Sequence, residues 1–321
     1  MPACLRWYHS HLVAIAGLCV LAATPAAGDG VTVRDAAGRS VTIKDAGRIV
    51  SVGGAVTEIL YALGLEQRVV AVDTTSIYPP RAAAEKPNVG YMRQLSAEGV
   101  LGLGPSLVLA AEGSGPKGTI AVLEAASIPF VQVPDQFTGE GIVEKIRLIA
   151  QATGTVERGE CLAKLVATDL AALAELRARI AQPRRTLFIL SFVNRRPMVS
   201  GRATAADGII KLAGAANAIT EYEGYKPISD ESVIAARPDA VLAMERASHR
   251  LDAQTVFGHP AFATTPAAAQ KALISMDGLY LLGFGPRSAR AARDLAVTLY
   301  PSLAHEPMPS EGVKLEEACR Q

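Results

Sequence analysis

The sequence predicts an α/β protein made of two similar lobes, each with a central, mostly parallel sheet, joined by one long rigid helix. Three observations predict this fold. Residues 95–110 (LSAEGVLGLGPSLVLA) recur in register as residues 228–243 (ISDESVIAARPDAVLA), short apolar runs alternate with helical stretches, and residues 156–182 contain one Gly and no Pro. A repeat with so long an interval suits two lobes of similar build rather than a solenoid.

The predicted elements follow the chain in order. Residues 31–43 (VTVRDAAGRSVTI) predict a hairpin, because β-forming residues alternate around an Ala-Gly turn. A helix is expected over 57–63, and helices near 205–213 and 288–300. Short apolar strands between helices indicate parallel strands with crossover helices. The predicted strands are 49–52, 69–72, 107–110 and 130–133 in the first lobe, and 187–190, 240–244 and 273–275 in the second.

The linker helix over 156–182 is about 40 Å long at about 1.5 Å per residue. Such a helix allows small changes in the angle between the lobes and resists wide hinge motion. Residues 283–288 (GFGPRS) predict a tight turn at a strand-helix junction, because the third Gly of a dinucleotide-binding turn is missing. The predicted division is a signal segment 1–28, an N-terminal lobe 29–153, a linker helix 154–183, a C-terminal lobe 184–304 and a polar tail 305–321.

The first 28 residues have the pattern of a cleavable secretory signal. Arg6 precedes an apolar run over 12–23, and small residues follow at 26–28. Arg6 is the one charged residue of this segment, so the remaining chain balances its 31 acidic residues with 31 basic ones. A neutral chain gives no electrostatic reason to bind nucleic acid. Cys161 and Cys319 remain after cleavage, and the sequence leaves open whether they pair in an oxidising compartment.

The search for catalytic motifs favours a binding protein. The chain has no HExxH, no GxSxG and no P-loop, and its His and Cys residues lack the spacing of a metal site. Tyr91 and Arg93 are the strongest candidates for chemistry, because they precede the capped helix at Ser96, where a lobe of this class commonly binds ligands. A phenol with a pKa near 10 becomes an anionic ligand when ferric iron stabilises it, and a guanidinium can add a charge-assisted hydrogen bond. The alternative is a Tyr91 ring packed over its loop, with Arg93 in solvent.

The two repeats also carry matching carboxylates, Glu98 and Glu231. Each follows a Ser N-cap, Ser96 or Ser229, within the first helical turn. A carboxylate there is either a partner of the helix dipole or, with its twin, one of two charged knobs that suit paired Arg pockets on a partner. The sequence alone leaves these two interpretations open.

Over nearly its whole length after the signal segment, the chain resembles the haem-binding periplasmic proteins of bacterial haem ABC importers. Characteristic segments are 89–100 (VGYMRQLSAEGV), 197–202 (PMVSGR) and 281–287 (LLGFGPR). The resemblance implies two Rossmann-like lobes on one helical backbone, with ferric haem bound between them. It also implies that Tyr91 ligates the iron through its phenolate, that Arg93 hydrogen-bonds that oxygen, and that Tyr225 lies near the haem.

The same resemblance implies the remaining contacts. A second-lobe cation, Arg246 or alternatively Arg250, would meet a haem propionate, and the absence of His from 191–196 implies one haem per chain. Glu98 and Glu231 would dock onto the two permease subunits of an inner-membrane ABC transporter, with an outer-membrane haem receptor acting upstream. The expected protein is a periplasmic monomer without catalysis of its own. The alternatives are the same fold holding a siderophore or cobalamin, with Tyr91 merely lining the pocket, and a secreted oxidoreductase with Tyr-ligated haem.

Overall fold

The computed structural model describes residues 30–245, 251–304 and 307–320. The predicted signal segment 1–28 and the predicted propionate partner Arg246 lie outside the described residues. None of the described helices is long and apolar enough to cross a bilayer.

The strands are β1 (Val31–Arg34), β2 (Ser40–Ile43), β3 (Ile49–Val52), β4 (Val69–Val72), β5 (Leu107–Ala111), β6 (Phe130–Val133), β7 (Arg185–Val193), β8 (Arg196–Ser200), β9 (Ala216–Asn217), β10 (Tyr225–Pro227), β11 (Ala240–Glu245) and β12 (Leu273–Asp277). The helices are α1 (Gly54–Ala62), α2 (Pro80–Glu85), α3 (Ala97–Leu101), α4 (Lys117–Ala125), α5 (Gly139–Ala152), α6 (Val156–Ala178), α7 (Ala205–Leu212), α8 (Asp230–Ala236), α9 (Ala253–Phe257), α10 (Pro260–Ala263), α11 (Pro266–Ala269), α12 (Gly278–Leu282), α13 (Ser288–Leu299) and α14 (Leu315–Ala318).

The N-terminal sheet confirms the predicted parallel arrangement. Its strands lie in the order β4-β3-β5-β6 and all pair in parallel, and β1 and β2 form the predicted antiparallel hairpin. The predicted start of the first helix at Thr57 is wrong, because α1 begins at Gly54. Gly53 makes the turn into α1 with a φ of 108°, and the Thr57 hydroxyl is buried in hydrogen bonds with Ser51 (2.7 Å) and Ser76 (2.7 Å).

The C-terminal sheet is mixed. Its order is β10-β8-β7-β11-β12, with β9 beside β7; the pairs of β7, β9, β11 and β12 are parallel, whereas β8 and β10 run antiparallel at one edge. The sequence did not predict β8 and β10. The turn that connects β7 to β8 has Asn194 and Arg195 instead of the Asn-Gly pair that usually signals a hairpin. The turn at 283–288 was also assigned wrongly, because the apolar run before it is helix α12 and not a strand.

The linker helix α6 has 23 residues and ends at Ala178, four residues earlier than predicted. Pro183 disfavours helical backbone just before it, and Ile180 packs against Gly214, where a Cβ would lie only 2.5 Å from the Ile180 Cδ1. One apolar core includes side chains of both lobes and of α6, such as Ile59, Leu173 and Leu295. The lobes are therefore packed on the helix as one body.

A C-terminal strap, residues 307–320, crosses the linker helix and contacts both lobes. Cys319 forms a disulfide with Cys161 on α6, so the pairing that the sequence left open does occur. Asp169 of α6 is buried and accepts hydrogen bonds from the Ser310 backbone N–H (3.0 Å) and hydroxyl. The strap is joined to the second lobe by Arg290, which donates to the Ser310 carbonyl (2.6 Å), and to the first lobe by Arg320, which donates to Glu66 (2.9 Å).

Candidate functional site

The carboxyl ends of the parallel strands in the two lobes face each other. Gly54 follows β3 and Leu279 follows β12, and a Cβ on Gly54 would lie 2.5 Å from the Leu279 Cδ1. Close to this contact, the Arg287 guanidinium of the second lobe donates two hydrogen bonds of 3.0 Å to the Glu58 carboxylate of the first. Ligands of open α/β sheets bind outside the carboxyl ends of the strands. The inter-lobe gap at these edges is therefore the candidate site.

Two further contacts hold the lobes together beside the gap. The rings of Phe137 and Phe284 pack edge to face with centroids 5.2 Å apart. The buried Lys145 ammonium of the first lobe donates to Asp135 Oδ1 (2.6 Å) and to the Phe284 carbonyl of the second (3.2 Å). Moving the second lobe would remove the Phe284 carbonyl from this buried ammonium and cost it one hydrogen bond, which favours a fixed junction.

The loop that carries Tyr91 is fixed through its backbone. The Thr74 N–H donates to the Gly90 carbonyl (3.0 Å), the Gln94 N–H donates to the Tyr91 carbonyl (2.7 Å), and the Gly115 N–H donates to the carbonyl of residue 92 (2.9 Å). The Tyr91 side chain is 40% exposed. A rigid loop thus presents an accessible phenol at the carboxyl edge of the N-terminal sheet.

Arg93 and Tyr225 interact electrostatically across the gap. Burial raises the pKa of Tyr225, and the Ala206 N–H, the Thr204 side chain and the charge of Arg93 oppose that rise. Because Arg93 belongs to the first lobe and Tyr225 to the second, this charge effect brings two of the predicted residues to the same gap. The raised pKa keeps Tyr225 a neutral phenol, which makes it a hydrogen-bonding group rather than an anionic ligand.

The two predicted knobs, Glu98 and Glu231, are both exposed at the starts of capped helices. Ser96 accepts a hydrogen bond from the Gly99 N–H (3.3 Å) at the start of α3, and Ser229 accepts one from the Ser232 N–H (3.3 Å) at the start of α8. Hydrogen bonds from its own backbone N–H and from Ser229 lower the pKa of Glu231, so this carboxylate is charged at neutral pH.

Sequence reasoning missed the group around Arg287. This guanidinium lies 3.4 Å from the ring centroid of Tyr78 and 5.2 Å from that of Tyr280, in addition to its pair with Glu58. A GFGPR stretch between two apolar segments was a signal of a constrained turn, but nothing local identifies a partner 229 residues away. Two surface depressions of about 400 and 370 Å³ beside α6 contain none of the predicted site residues.

Comparison with known proteins gives consistent findings. A family model described as periplasmic binding protein matches residues 49–279. Among solved structures, the apo form of the periplasmic haem-binding protein RhuT from Roseiflexus sp. RS-1 is 40% identical, with a TM-score of 0.76 over 81% of this chain and 100% of that chain. The periplasmic haem-binding protein HutB of Vibrio cholerae is 37% identical, with a TM-score of 0.71 over 80% of this chain and 100% of that chain.

Curated relatives are more distant in sequence. An uncharacterised ABC transporter substrate-binding lipoprotein of Bacillus subtilis (strain 168) is 28% identical over 280 residues, which is 86% of this chain and 87% of the relative. The vitamin B12-binding protein of Pectobacterium atrosepticum is 26% identical over 255 residues, 78% of this chain and 88% of the relative. The compared proteins therefore share a fold but differ in the ligand that their names give.

Proposed function

The chain belongs to the periplasmic binding protein family, and from that premise we propose that it captures ferric haem in the gap between its lobes. As a member of this family it is an extracytoplasmic substrate-binding protein of an ABC importer and not an enzyme. The haem is its cargo, to be delivered to the membrane-embedded permease. A signal segment over residues 1–28, removed on export, accounts for the location.

The observation that carries the proposal is the presence of an exposed phenol and a guanidinium on the first-lobe edge that faces the second lobe. Tyr91 is 40% exposed on a fixed loop, and Arg93 is close enough to the second lobe to act on Tyr225. Ferric iron takes a tyrosinate as an axial ligand in haem proteins. Of these two tyrosines, Tyr225 has its hydroxyl hydrogen-bonded and its pKa raised by burial, which leaves Tyr91 as the ligand.

The roles of the other residues follow from this arrangement. Arg93 donates a charge-assisted hydrogen bond to the Tyr91 oxygen, which lowers the free energy of the phenolate relative to the phenol. Tyr225 closes the gap from the second lobe as a neutral hydrogen-bonding group, and a second-lobe cation, Arg246 or alternatively Arg250, meets a propionate. One haem is bound per chain, since residues 191–196 contain no His.

We assign delivery to the permease to the two matching carboxylates of the repeat. Glu98 and Glu231 occupy equivalent places in two similar lobes, and both are exposed at helix starts. Two like charges on one pseudo-symmetric face fit two cationic pockets on a permease dimer. Electrostatic complementarity of this kind steers association and fixes register more than it adds affinity.

Cobalamin is the second candidate ligand, because vitamin B12-binding proteins are among the curated relatives. In that case Tyr91 would contact the ligand without coordinating its metal. The two candidate ligands differ in what the Tyr91 hydroxyl does. Removing that hydroxyl should therefore distinguish haem binding from cobalamin binding.

The test compares Tyr91→Phe with Tyr225→Phe, each of which removes one hydroxyl and keeps a ring. We expect ferric haem to give a Soret band with a phenolate charge-transfer band in the wild type and in Tyr225→Phe. The Tyr91→Phe variant should lose the charge-transfer band and bind haem more weakly. An unchanged spectrum and haem affinity in Tyr91→Phe would exclude axial ligation by this residue. Tighter binding of cobalamin than of haem by the wild type would show that cobalamin is the ligand.

The docking role has a separate test. The Glu98→Ala/Glu231→Ala variant should bind haem as the wild type does but fail to stimulate the ATPase activity of the reconstituted transporter. Full stimulation by this variant would contradict the docking role and would leave the ligand assignment intact.

A further inference from the structure

Helix α8 carries an exposed aliphatic side chain one turn after the predicted knob Glu231. Ile234 is 49% exposed, and Glu231 is exposed as well. Residues three apart on an α-helix are neighbours on one face, so these two side chains lie side by side on the outer face of α8. The opposite face carries Val233 and Ala236, which are buried in the core of the second lobe. The helix therefore presents a carboxylate and an aliphatic group together to solvent.

The exposure of Ile234 is not the result of a loosely held helix. Ser229 caps the first turn of α8. The buried His259 ring lies with its Nε2 3.8 Å from the Asp230 carboxylate of that turn. The same ring packs edge to face against Phe192 at the end of β7, with centroids 5.7 Å apart. The start of α8 is thus fixed on its lobe, and a partner that binds there has little ordering entropy to overcome.

The first lobe differs at the equivalent position. The repeat places Leu101 of α3 in register with Ile234, three residues after Glu98. Leu101 is half-buried and packs against the apolar core of the first lobe. Both lobes therefore have a glutamate followed by an aliphatic residue, but the second lobe exposes the aliphatic side chain much more fully. Because the shared fold can cover this side chain, its exposure is a feature of the second lobe and not a requirement of the fold.

Charged side chains border Ile234 on the outer face of α8. Asp230 and Glu231 are its neighbours on the preceding turn and Arg237 ends the helix, and all three are exposed. Protein interfaces combine an apolar centre with a polar rim. Apolar anchors in the centre carry much of the binding energy, whereas charges at the rim steer association. The outer face of α8 has both parts.

We propose that Ile234 is the apolar anchor through which the second lobe holds its permease subunit, with Glu231 as the charge that steers it there. This inference rests on the proposed docking role of Glu98 and Glu231 and adds the contact that sets the lifetime of the complex. The charges on α8 favour this occupant. An anionic lipid surface would be repelled by Asp230 and Glu231, and a two-fold contact between copies of this chain would bring these carboxylates close to their own counterparts.

The two docking contacts then differ in kind. The first-lobe contact at Glu98 is mainly electrostatic, whereas the second-lobe contact combines a charge with buried apolar surface. The fitting site on the permease is a cationic pocket beside an apolar depression.

The test measures binding of the haem-loaded protein to the transporter in nanodiscs, with association and dissociation rates recorded separately. Ile234→Ala should raise the dissociation rate about fivefold to tenfold, because it removes a half-exposed aliphatic group that the interface would bury. Its association rate, its salt dependence and its affinity for haem should equal those of the wild type. Glu231→Gln should instead lower the association rate, and this loss should diminish as the salt concentration rises.

Two further variants are matched controls. Ile234→Leu keeps the apolar side chain and should dissociate at the wild-type rate. Val156→Ala shortens an aliphatic side chain that is 54% exposed at the start of α6 and should also behave as the wild type. Surface substitutions of this kind leave stability nearly unchanged, so equal melting temperatures should confirm that folding does not contribute.

An unchanged dissociation rate in Ile234→Ala would overturn the proposal. Equally tight binding of the wild type to empty nanodiscs would overturn it in favour of a lipid surface, and a wild-type dimer that Ile234→Ala converts to monomers would overturn it in favour of a second copy. If Glu98→Ala/Glu231→Ala docks as the wild type does, the proposed docking role and this inference fail together. If that variant fails to dock while Ile234→Ala docks normally, this inference alone fails.

Discussion

Removal of the Cys161–Cys319 disulfide should cause a large loss of stability and little change in the folded structure. The bond closes a loop with a sequence separation of 158 residues. In the chain-entropy model such a cross-link destabilises the unfolded state by about 5 kcal/mol at 25 °C. Engineered and native bonds often deliver less than this model gives, so we expect Cys161→Ser/Cys319→Ser to lose about 3 to 5 kcal/mol.

The folded strap should stay in place without the bond. Asp169 still receives two hydrogen bonds from Ser310, and Arg290 and Arg320 still join the strap to the two lobes. Because the missing bond acts mainly on the unfolded chain, the haem spectrum of the folded variant should equal that of the wild type.

Urea unfolding measures the effect. One apolar core includes both lobes, so we expect a single transition, and at a slope of about 3 kcal/mol/M its midpoint should fall by about 1 to 1.7 M. In the presence of reductant, the wild type should have the same free energy of unfolding as the double variant. Reductant should not change the free energy of unfolding of the variant itself. A loss below about 1 kcal/mol, or a further loss when reductant is added to the variant, would refute the reasoning.

Three other predictions concern buried carboxylates and the groups that donate to them. Glu58→Gln leaves the Arg287 guanidinium in a mostly buried position without its charge partner and should lower the free energy of unfolding by about 3 kcal/mol; a melting temperature equal to the wild type would contradict this. Asp73 accepts four hydrogen bonds from two backbone N–H groups and two hydroxyls, and Asp73→Asn, which replaces one acceptor atom by a donor, should lose about 2 to 4 kcal/mol, measured by urea unfolding. Burial raises the pKa of Asp35, but the hydrogen bonds from Arg39 outweigh it and the net pKa is lowered. Its stabilising effect is therefore complete above about pH 4 and is lost as the pH falls through the lower folded value, so the stability difference between wild type and Asp35→Asn should shrink between neutral pH and about pH 3; a constant difference would argue against this ion pair.

Local patterns predicted much of the fold. The Ser96 and Ser229 caps, the β1-β2 hairpin and the parallel strands of the first lobe depend on residues close in sequence, and the structure confirms each of them. Their signals are a capping hydroxyl before an acidic turn and short β-branched runs.

What the sequence did not predict depends on distant partners. Glu58 and Arg287 are 229 residues apart, and neither segment alone shows that the other exists. The strap was expected to be a polar tail, because its few apolar residues, such as Met308 and Leu315, become significant only once α6 and both lobes are beside them. Strand β8 was missed because its hairpin turn uses Arg195 in place of Gly.

The positions of the site residues could be predicted only in part from the sequence. The resemblance implied that Tyr91, Arg93 and Tyr225 lie near one ligand, and the charge of Arg93 acts on Tyr225 across the gap.

The disulfide also constrains the order of events during synthesis and export. Cys161 is synthesised 158 residues before Cys319. The thiol at 161 cannot pair with Cys319 until the second lobe, which lies between the two cysteines in the sequence, has been made. Covalent closure thus follows synthesis of the second lobe, and a chain truncated anywhere in that lobe would carry an unpaired thiol on its linker helix.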